Sequence, residues 1–501
     1  MTAREQLAQF AAGSKALPRL CREYKKERAT VHLKELVGGA LSFYAAATAA
    51  KTGGVHVFVA EDRDAAAYLM NDFYNLLDEK QVYFFPSSYK RSAAYGAEDA
   101  QGVVQRTAAM NAVRGFTKGY LVVCTYPEAL AERVVDAATL QRDTIAVKLG
   151  DKISIAVLED ALADANFTRV DFVYEPGQYS VRGGIVDVFS YSESKPYRID
   201  FFGDEVDSIR RFNISSQLSA DKLDRVEIVP NLNAGEAPRV SFVQFAGSSA
   251  TCWFYDADYV LRRVNDLRRK VLADMEEPGQ IDRLLTSRNV LLRDMAGNSV
   301  VALRDNLPER PATAAVVFDT APQPKFNKNF EMLADDMIRN SLRGYATYIL
   351  SENKVQVERL ENIFHQIGRG QAAVRSLSVT LHEGFVDNDL KLCLYTDHQI
   401  FDRYQRYRIN GEIRRDEQMT VAELNQLRPG DYVVHIDHGV GRFDGLVKIN
   451  ENGKAHEAIK LVYKDGDVLF VNVHSLHRIS RYKSGDGEPP KVYKLGNGAW
   501  Q

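Results

Sequence analysis

Only four cysteines occur in 501 residues, Cys21, Cys124, Cys252 and Cys393, and no two form a Cys-x-x-Cys pair. That scarcity excludes a disulfide framework and a zinc ribbon and fits a reducing compartment, so a cytoplasmic location is expected. No apolar run reaches the ~20 residues that a membrane span needs, and the opening stretch MTAREQLAQFAAGSK is not a signal peptide. An excess of one charge is missing too: 64 Lys and Arg stand against 67 Asp and Glu, a net charge of -3. The chain as a whole is therefore no polyanion binder, and a DNA contact has to be local or lie elsewhere. Internal repeats and low-complexity tracts are absent. What is left is the composition of ordinary globular domains, 45% hydrophobic and 26% charged. Its length suits roughly three to five of them at about 100–150 residues each.

One further absence is specific. After a helical start that becomes basic from Arg22 to Arg28, the chain reads as strand Val31–Val37, helix Ala40–Ala50, strand Val55–Ala60 and helix Asp64–Leu77. Strands near Val82–Phe85 and Leu121–Thr125 follow. Alternating helices and continuously apolar strands predict a parallel sheet covered by helices, the arrangement of a P-loop NTPase core. Such a core needs Gly-x-x-x-x-Gly-Lys-Ser/Thr after its first strand, because the lysine reaches the β/γ-phosphates and the hydroxyl binds Mg²⁺. This chain offers Val37-Gly38-Gly39-Ala40-Leu41-Ser42, and its only Gly-Lys dipeptide is the distant Gly453-Lys454. Gly38, Gly39 and Ser42 thus read as a degenerate nucleotide loop that neither holds ATP nor hydrolyses it, with no catalytic residue. Asp204-Glu205-Val206-Asp207 spells a DEAD-like box, but it follows a glycine turn between amphipathic strands and has no phosphate loop to serve.

The densest pattern runs from Tyr174 to Phe212. Turn pairs (Pro176-Gly177, Gly183-Gly184, Gly203-Asp204) separate short runs of Val, Ile, Tyr and Phe, which predicts antiparallel hairpins. Strand alternation puts Tyr197, Ile199 and Phe201 on a core face and Arg198, Asp200 and Phe202 on the other. An aromatic beside arginine on an outer face suits a protein-binding hot spot. The alternative is that Phe202 is covered by another part of its own chain.

These residues carry a resemblance. The pattern Tyr-x-x-Gly-x-Tyr-x-x-Arg-Gly-Gly-Ile-x-Asp-x-Phe, followed by Pro-Tyr-Arg-Ile-Asp-Phe-Phe-x-Asp-Glu-x-Asp-Ser-Ile-Arg-x-Phe, is similar to the UvrB-homology module of the transcription-repair coupling factor family (Mfd). The resemblance implies a bacterial protein whose hairpin domain docks UvrA through Arg182, Arg198 and Phe202. It also implies that residues 146–228 are inserted between two parts of one NTPase-like domain, 1–145 and 229–338, the second closing on PQPKFNKNFEML. Residues 339–402, with HEGFVDNDLKLCLYTDHQIF, resemble the family's third, variable α/β domain. His382, Asp387 and Asp389 in it fit no standard metal spacing. Residues 403–426 carry Arg403, Arg406, Arg408, Arg414 and Arg415 and read as a basic linker, either touching nucleic acid or simply solvated.

From Arg428 short strands follow at close spacing, with turns at Asn452-Gly453 and Asp465-Gly466, which predicts a small, bent β barrel of the Tudor or SH3 kind. The segment Asp-Tyr-Val-Val-His-x-x-His-Gly-Val-Gly-Arg-Phe resembles the CarD-like RNA polymerase-interacting domain of the same family, here residues 427–483. Such domains bind the polymerase β subunit largely by an exposed strand edge. The expected edge is HEAIKLVY, with Ile459, Leu461 and Tyr463 on one face. Two His-x-x-His pairs, His435/His438 and His474/His477, straddle opposite sides of a strand and are not expected to chelate a metal. His435 and His438 are expected to hydrogen-bond in the turn around Gly439 and Gly441. Residues 484–501 read as a linker, and the resemblance places an ATP- and Mg²⁺-using translocase motor, which makes most of the DNA contact, beyond Gln501.

The fold expected is thus a multidomain α/β protein: a degenerate P-loop NTPase-like parallel sheet with an inserted antiparallel hairpin domain, a second small α/β domain and a C-terminal Tudor/SH3-like, CarD-type barrel. The function expected is an adaptor between RNA polymerase and UvrA, without a cofactor in this chain and without a membrane. A UvrB-like helicase is opposed by the missing lysine and by the barrel. A CarD-type regulator without a repair role is opposed by the UvrA-docking pattern.

Overall fold

The computed structural model describes residues 1–89, 99–214, 217–232, 237–275, 278–403, 427–435, 438–451, 454–472 and 479–481. They fall into two compact units, Met1–Gly411 and Glu412–Gln501. The basic segment 404–426, the Asn452-Gly453 turn, His474, His477 and the tail 484–501 lie outside the described residues.

At the centre of the first unit is a sheet of seven parallel strands. From one edge to the other these are Ala314–Val317, Thr30–Lys34, Ser299–Ala302, Thr251–Phe254, Gly54–Val59, Tyr120–Thr125 and Val82–Phe84. Strands from before and after the hairpin region interleave, Thr30–Lys34 pairing with both Ser299–Ala302 and Ala314–Val317. The hairpin region is therefore an insertion into a single sheet. Gly54–Val59 and Tyr120–Thr125 are buried on both faces, as a helix-covered parallel sheet requires. The Ala40–Thr52 helix is alanine-rich and buries eight of its thirteen residues. Its small side chains let it pack between the sheet and the domain that follows.

The insertion is a six-stranded sheet in the order Ser219–Leu223, Glu205–Phe212, Tyr197–Phe202, Ile185–Val188, Gln178–Arg182 and Thr168–Arg169. The Ile155–Asp164 helix covers one face, where Leu158 and Leu162 meet Val186, Ile199 and Ile209. Arg225–Ile228 pairs antiparallel with Ile145–Lys148 and closes the insertion at its base. The register Asp200↔Ser208, Phe201↔Val206 leaves Asp207 as an extra residue, a bulge on the facing strand. The alternation along Tyr197–Phe202 survives it.

The next domain begins earlier than the sequence reading placed it. Its sheet runs Thr320–Pro322, Phe385–Asp387, Leu392–Thr396, Ala346–Leu350, Ser376–Leu377. The Phe330–Leu342 helix packs Leu333, Ala334 and Met337 against Ile349, Phe364 and Tyr395. The boundary at 338 therefore moves to about residue 320, because that helix buries its apolar stripe in the later core and not in the parallel-sheet domain.

The second unit is a five-stranded antiparallel sheet ordered Val468–Asn472, Lys454–Val462, Gly439–Glu451, Tyr432–His435 and Ile479–Arg481. The long Gly439–Glu451 strand has a register break between Phe443 and Leu446, where Gly445 takes a φ of 105°. Bulges of this kind bend a sheet toward closure.

Candidate protein-docking site

In the hairpin domain, Arg182 and Phe202 end two strands on the same side of the sheet. The peptide N–H of Phe201 donates to the carbonyl of Gly184, 2.8 Å away, which draws the Gly183-Gly184 turn beside the end of Tyr197–Phe202. The approach is tight, since a Cβ at Gly184 would stand 3.0 Å from the Phe201 carbonyl oxygen and the strand would have to give by a few tenths of an ångström. Phe202 is 84% exposed, so no other described part of the hairpin domain covers it.

The two arginines are not free arms. Both reach the carboxylate of Asp187, which is 1% exposed at its side chain. Arg198 donates from Nε at 2.7 Å and from Nη2 at 2.8 Å, and Arg182 donates from Nη2. Arg198 also donates to the carbonyl of Gln217 at 3.3 Å and lies 4.4 Å above the Phe212 ring, while Arg182 lies 4.8 Å above Phe172. Hydrogen bonding to Asp187 raises the pKa of Arg198 further. The Arg198 side chain is only 15% exposed against 36% for Arg182. Strand alternation correctly groups Arg198 with Phe202, but Arg198 is mainly a strut, and Arg182 and Phe202 form the accessible pair.

In the C-terminal sheet the structure overturns the placement of the docking edge. Lys454–Val462 is an inner strand, paired with Gly439–Glu451 on one side and with Val468–Asn472 on the other. Ile459, Leu461 and Tyr463 are buried in the small core with Val433, Phe443 and Val471. Their alternation marks a core face, and apolar pattern alone does not separate an inner strand from an edge. Among the described residues the sheet ends in Val468–Asn472 and Ile479–Arg481. On Val468–Asn472, Val468 and Phe470 are exposed on one face while Val471 points into the core.

At the glycine turn, Gly38 has a φ of 56°, and the space a phosphate would need belongs to the chain itself. A Cβ at Gly39 would lie 2.1 Å from the Glu383 carbonyl oxygen, and one at Gly38 would lie 3.3 Å from Oε2 of Glu383. The carboxylate of Glu383 thus sits by the start of the Ala40–Thr52 helix, where a helix favours an anion. Ser42 is buried, with its Oγ 3.0 Å from the Gly39 carbonyl and 2.7 Å from Oδ2 of Asp72. Oδ1 of Asp72 accepts the peptide N–H of His382, and the His382 ring stacks on Tyr68. Burial pushes the Asp72 carboxyl up to about 7. A cavity of about 370 Å³ remains beside the turn, lined by Glu61, Asp72, Glu383 and aromatic side chains and, among the described residues, by no lysine or arginine.

The family model of the UvrB interaction domain matches residues 145–233, and that of the CarD-like/TRCF RID domain matches residues 427–483. The chain is 24% identical over 94% of its length to the transcription-repair-coupling factor of Bacillus subtilis. It is 25% identical over 93% of its length to that of Escherichia coli. The chain is similar to the transcription-repair-coupling factors over nearly all of its length. It spans about half the length of these curated relatives, 46% of each.

In this transcription-repair-coupling-factor relative the residues of the glycine turn do not fit a nucleotide. The turn is pressed against the Glu383–Gly384 backbone, and the adjoining cavity offers carboxylates where phosphates require cations. No metal-binding group of three or more His, Cys, Asp or Glu occurs among the described residues. His382 stacks on Tyr68, Asp387 meets the Tyr44 hydroxyl and Asp389 pairs with Lys15, so these three serve separate contacts. The rings of His435 and His438 lie 4.7 Å apart, and the peptide N–H of His438 donates to the His435 carbonyl. No described helix is long and apolar enough to cross a membrane. Asp187 escaped the sequence reading, although an acidic residue within the apolar run Ile185–Phe189 is a visible signal. The partners of Asp72 and Glu383 lie some 300 residues away and left no local trace.

Proposed function

We propose that this chain is a cytoplasmic adaptor in transcription-coupled repair, joining RNA polymerase through its C-terminal barrel to UvrA through its inserted hairpin domain. The observation that carries the reading is the pairing of two separate modules in one chain. One displays an exposed phenylalanine on the same sheet face as a fixed arginine, and the other displays a strand edge. Arg182 and Phe202 supply the UvrA contact, with Arg198 behind them, and the partner offers an acidic, partly apolar surface. The polymerase β subunit adds a strand to Val468–Asn472, with Phe470 alongside. The parallel sheet is read as an NTPase-type core that has given up nucleotide, and the C-terminal sheet as a Tudor/SH3-like barrel. ATP-driven translocation on DNA is the activity the family resemblance implies for the longer proteins. The test is assembly: the chain should hold UvrA and the β subunit at the same time, without ATP. If either partner fails to bind, or the two exclude each other, the adaptor reading falls.

A further inference from the structure

We propose that Asp187 is the positioning residue of the hairpin domain's docking face, a role that rests on the UvrA reading above. Three observations meet on it. Its carboxylate is almost fully buried, on the strand next to the one that bears Arg198, in direct register with it. It accepts three hydrogen bonds from two guanidinium groups that belong to different strands, Gln178–Arg182 and Tyr197–Phe202. Each of those guanidiniums is covered on one face by an aromatic ring, Phe172 for Arg182 and Phe212 for Arg198. The five side chains form a row, ring, cation, anion, cation, ring, across the outer face of the sheet.

The row does two things. Its central carboxylate cancels one of two positive charges, so the cluster carries a single net charge with the repulsion between the arginines removed. It also ties the planar fork of Arg182 by one nitrogen, Nη2, in a fixed orientation on the sheet face that Phe202 shares, before any partner arrives. Preorganisation of this kind slows dissociation, because less side-chain freedom is surrendered on binding. The net charge governs how fast an acidic partner is drawn in. Asp187 therefore slows both association and dissociation, with opposite effects on affinity.

Asp187→Asn separates them. The amide matches the carboxylate in shape but lowers the negative charge by one, so the cluster rises from one to two net positive charges. Association with UvrA at low salt should become faster and more salt-dependent. Dissociation should become faster by about tenfold or more, since the arginines lose their charged anchor. A purely structural role would lower only the fraction of active protein and leave both rate constants where they were. Arg182→Lys is the second variant: it keeps the charge and loses the fork, so it should speed dissociation without changing association. Both are measured by surface-bound UvrA kinetics at two salt concentrations, with thermal unfolding as the check on folding. Unchanged rates in folded Asp187→Asn overturn the role of Asp187. If that variant does not fold, unchanged rates in Arg182→Lys overturn it instead. A parent chain that does not bind UvrA at all overturns the docking reading itself, and this role with it.

Discussion

Phe202, Arg198 and Leu461 show how differently single residues of one predicted class can behave. Phe202 projects into solvent, so Phe202→Ala should leave thermal stability unchanged and weaken UvrA binding by about 2 kcal/mol or more, as removal of a hot-spot aromatic does. Equal affinity in a titration of the two proteins would remove Phe202 from the contact. Arg198 sits in the frame, so Arg198→Glu would set a second carboxylate against buried Asp187. That variant should lose stability together with binding, and Arg182 is the cleaner probe of charge. Leu461→Asp, designed on the sequence reading to break a polymerase contact, should instead unfold the C-terminal sheet, at a cost of about 3 kcal/mol or more for an unpaired charge in a core. Asp72 makes a different case. Its carboxyl is raised from 3.8 to about 7 by burial. A raised folded-state value means that its stabilising contribution is complete below the unfolded value near 3.8 and is lost as pH climbs through 7. When protonated, Asp72 donates to Ser42, which donates in turn to the Gly39 carbonyl. An asparagine amide reproduces that chain of bonds, so Asp72→Asn should raise the melting temperature at pH 8 and lose its advantage as pH falls toward 4. A gain that is the same at every pH would show that Asp72 is not the titrating group.

At the scale of elements, alternation and turn chemistry made most strands and helices legible. The Ala40–Thr52 and Arg63–Leu76 helices differ by only one or two residues at their ends from the bounds expected for them. Strand neighbours were not legible, because pairing depends on register between segments hundreds of residues apart, as with Thr30–Lys34 and Ser299–Ala302. The same gap misplaced the edge of the C-terminal sheet. HEAIKLVY and DVLFVNV are both apolar and alternating, and only the sheet order makes the first an inner strand. The exposed face of Val468–Asn472 leads to its own expectation. Phe470→Glu should fold with an unchanged melting temperature, since Phe470 is 48% exposed, and should release the polymerase β subunit in a pull-down. Retention of the subunit by the folded variant would move the interface to another strand.

For the molecule as a whole, the missing lysine drew attention to the glycine turn but gave no sign of what packs against it. The loop at His382–Gly384 fills it with backbone and a carboxylate, and Phe43 packs on Phe385 across the same junction. The purified chain should accordingly show no ATP turnover above a protein-free blank and no thermal shift with ATP and Mg²⁺. Turnover abolished by Glu383→Lys, or any turnover at all, would refute that.

The same plug puts a clock on the protein's birth. Lys15, Tyr44 and Asp72 find their partners at Asp389, Asp387 and His382, so the amino-terminal sheet cannot finish its surface while it is being made. At synthesis rates of about 5–20 residues per second, more than 300 residues must leave the ribosome first, a wait of roughly 15–60 s. Throughout that interval the Phe43 and Tyr44 face of its central helix stands open to water. A nascent chain stalled near residue 318 should therefore recruit holding chaperones, and one stalled beyond residue 403 should let them go.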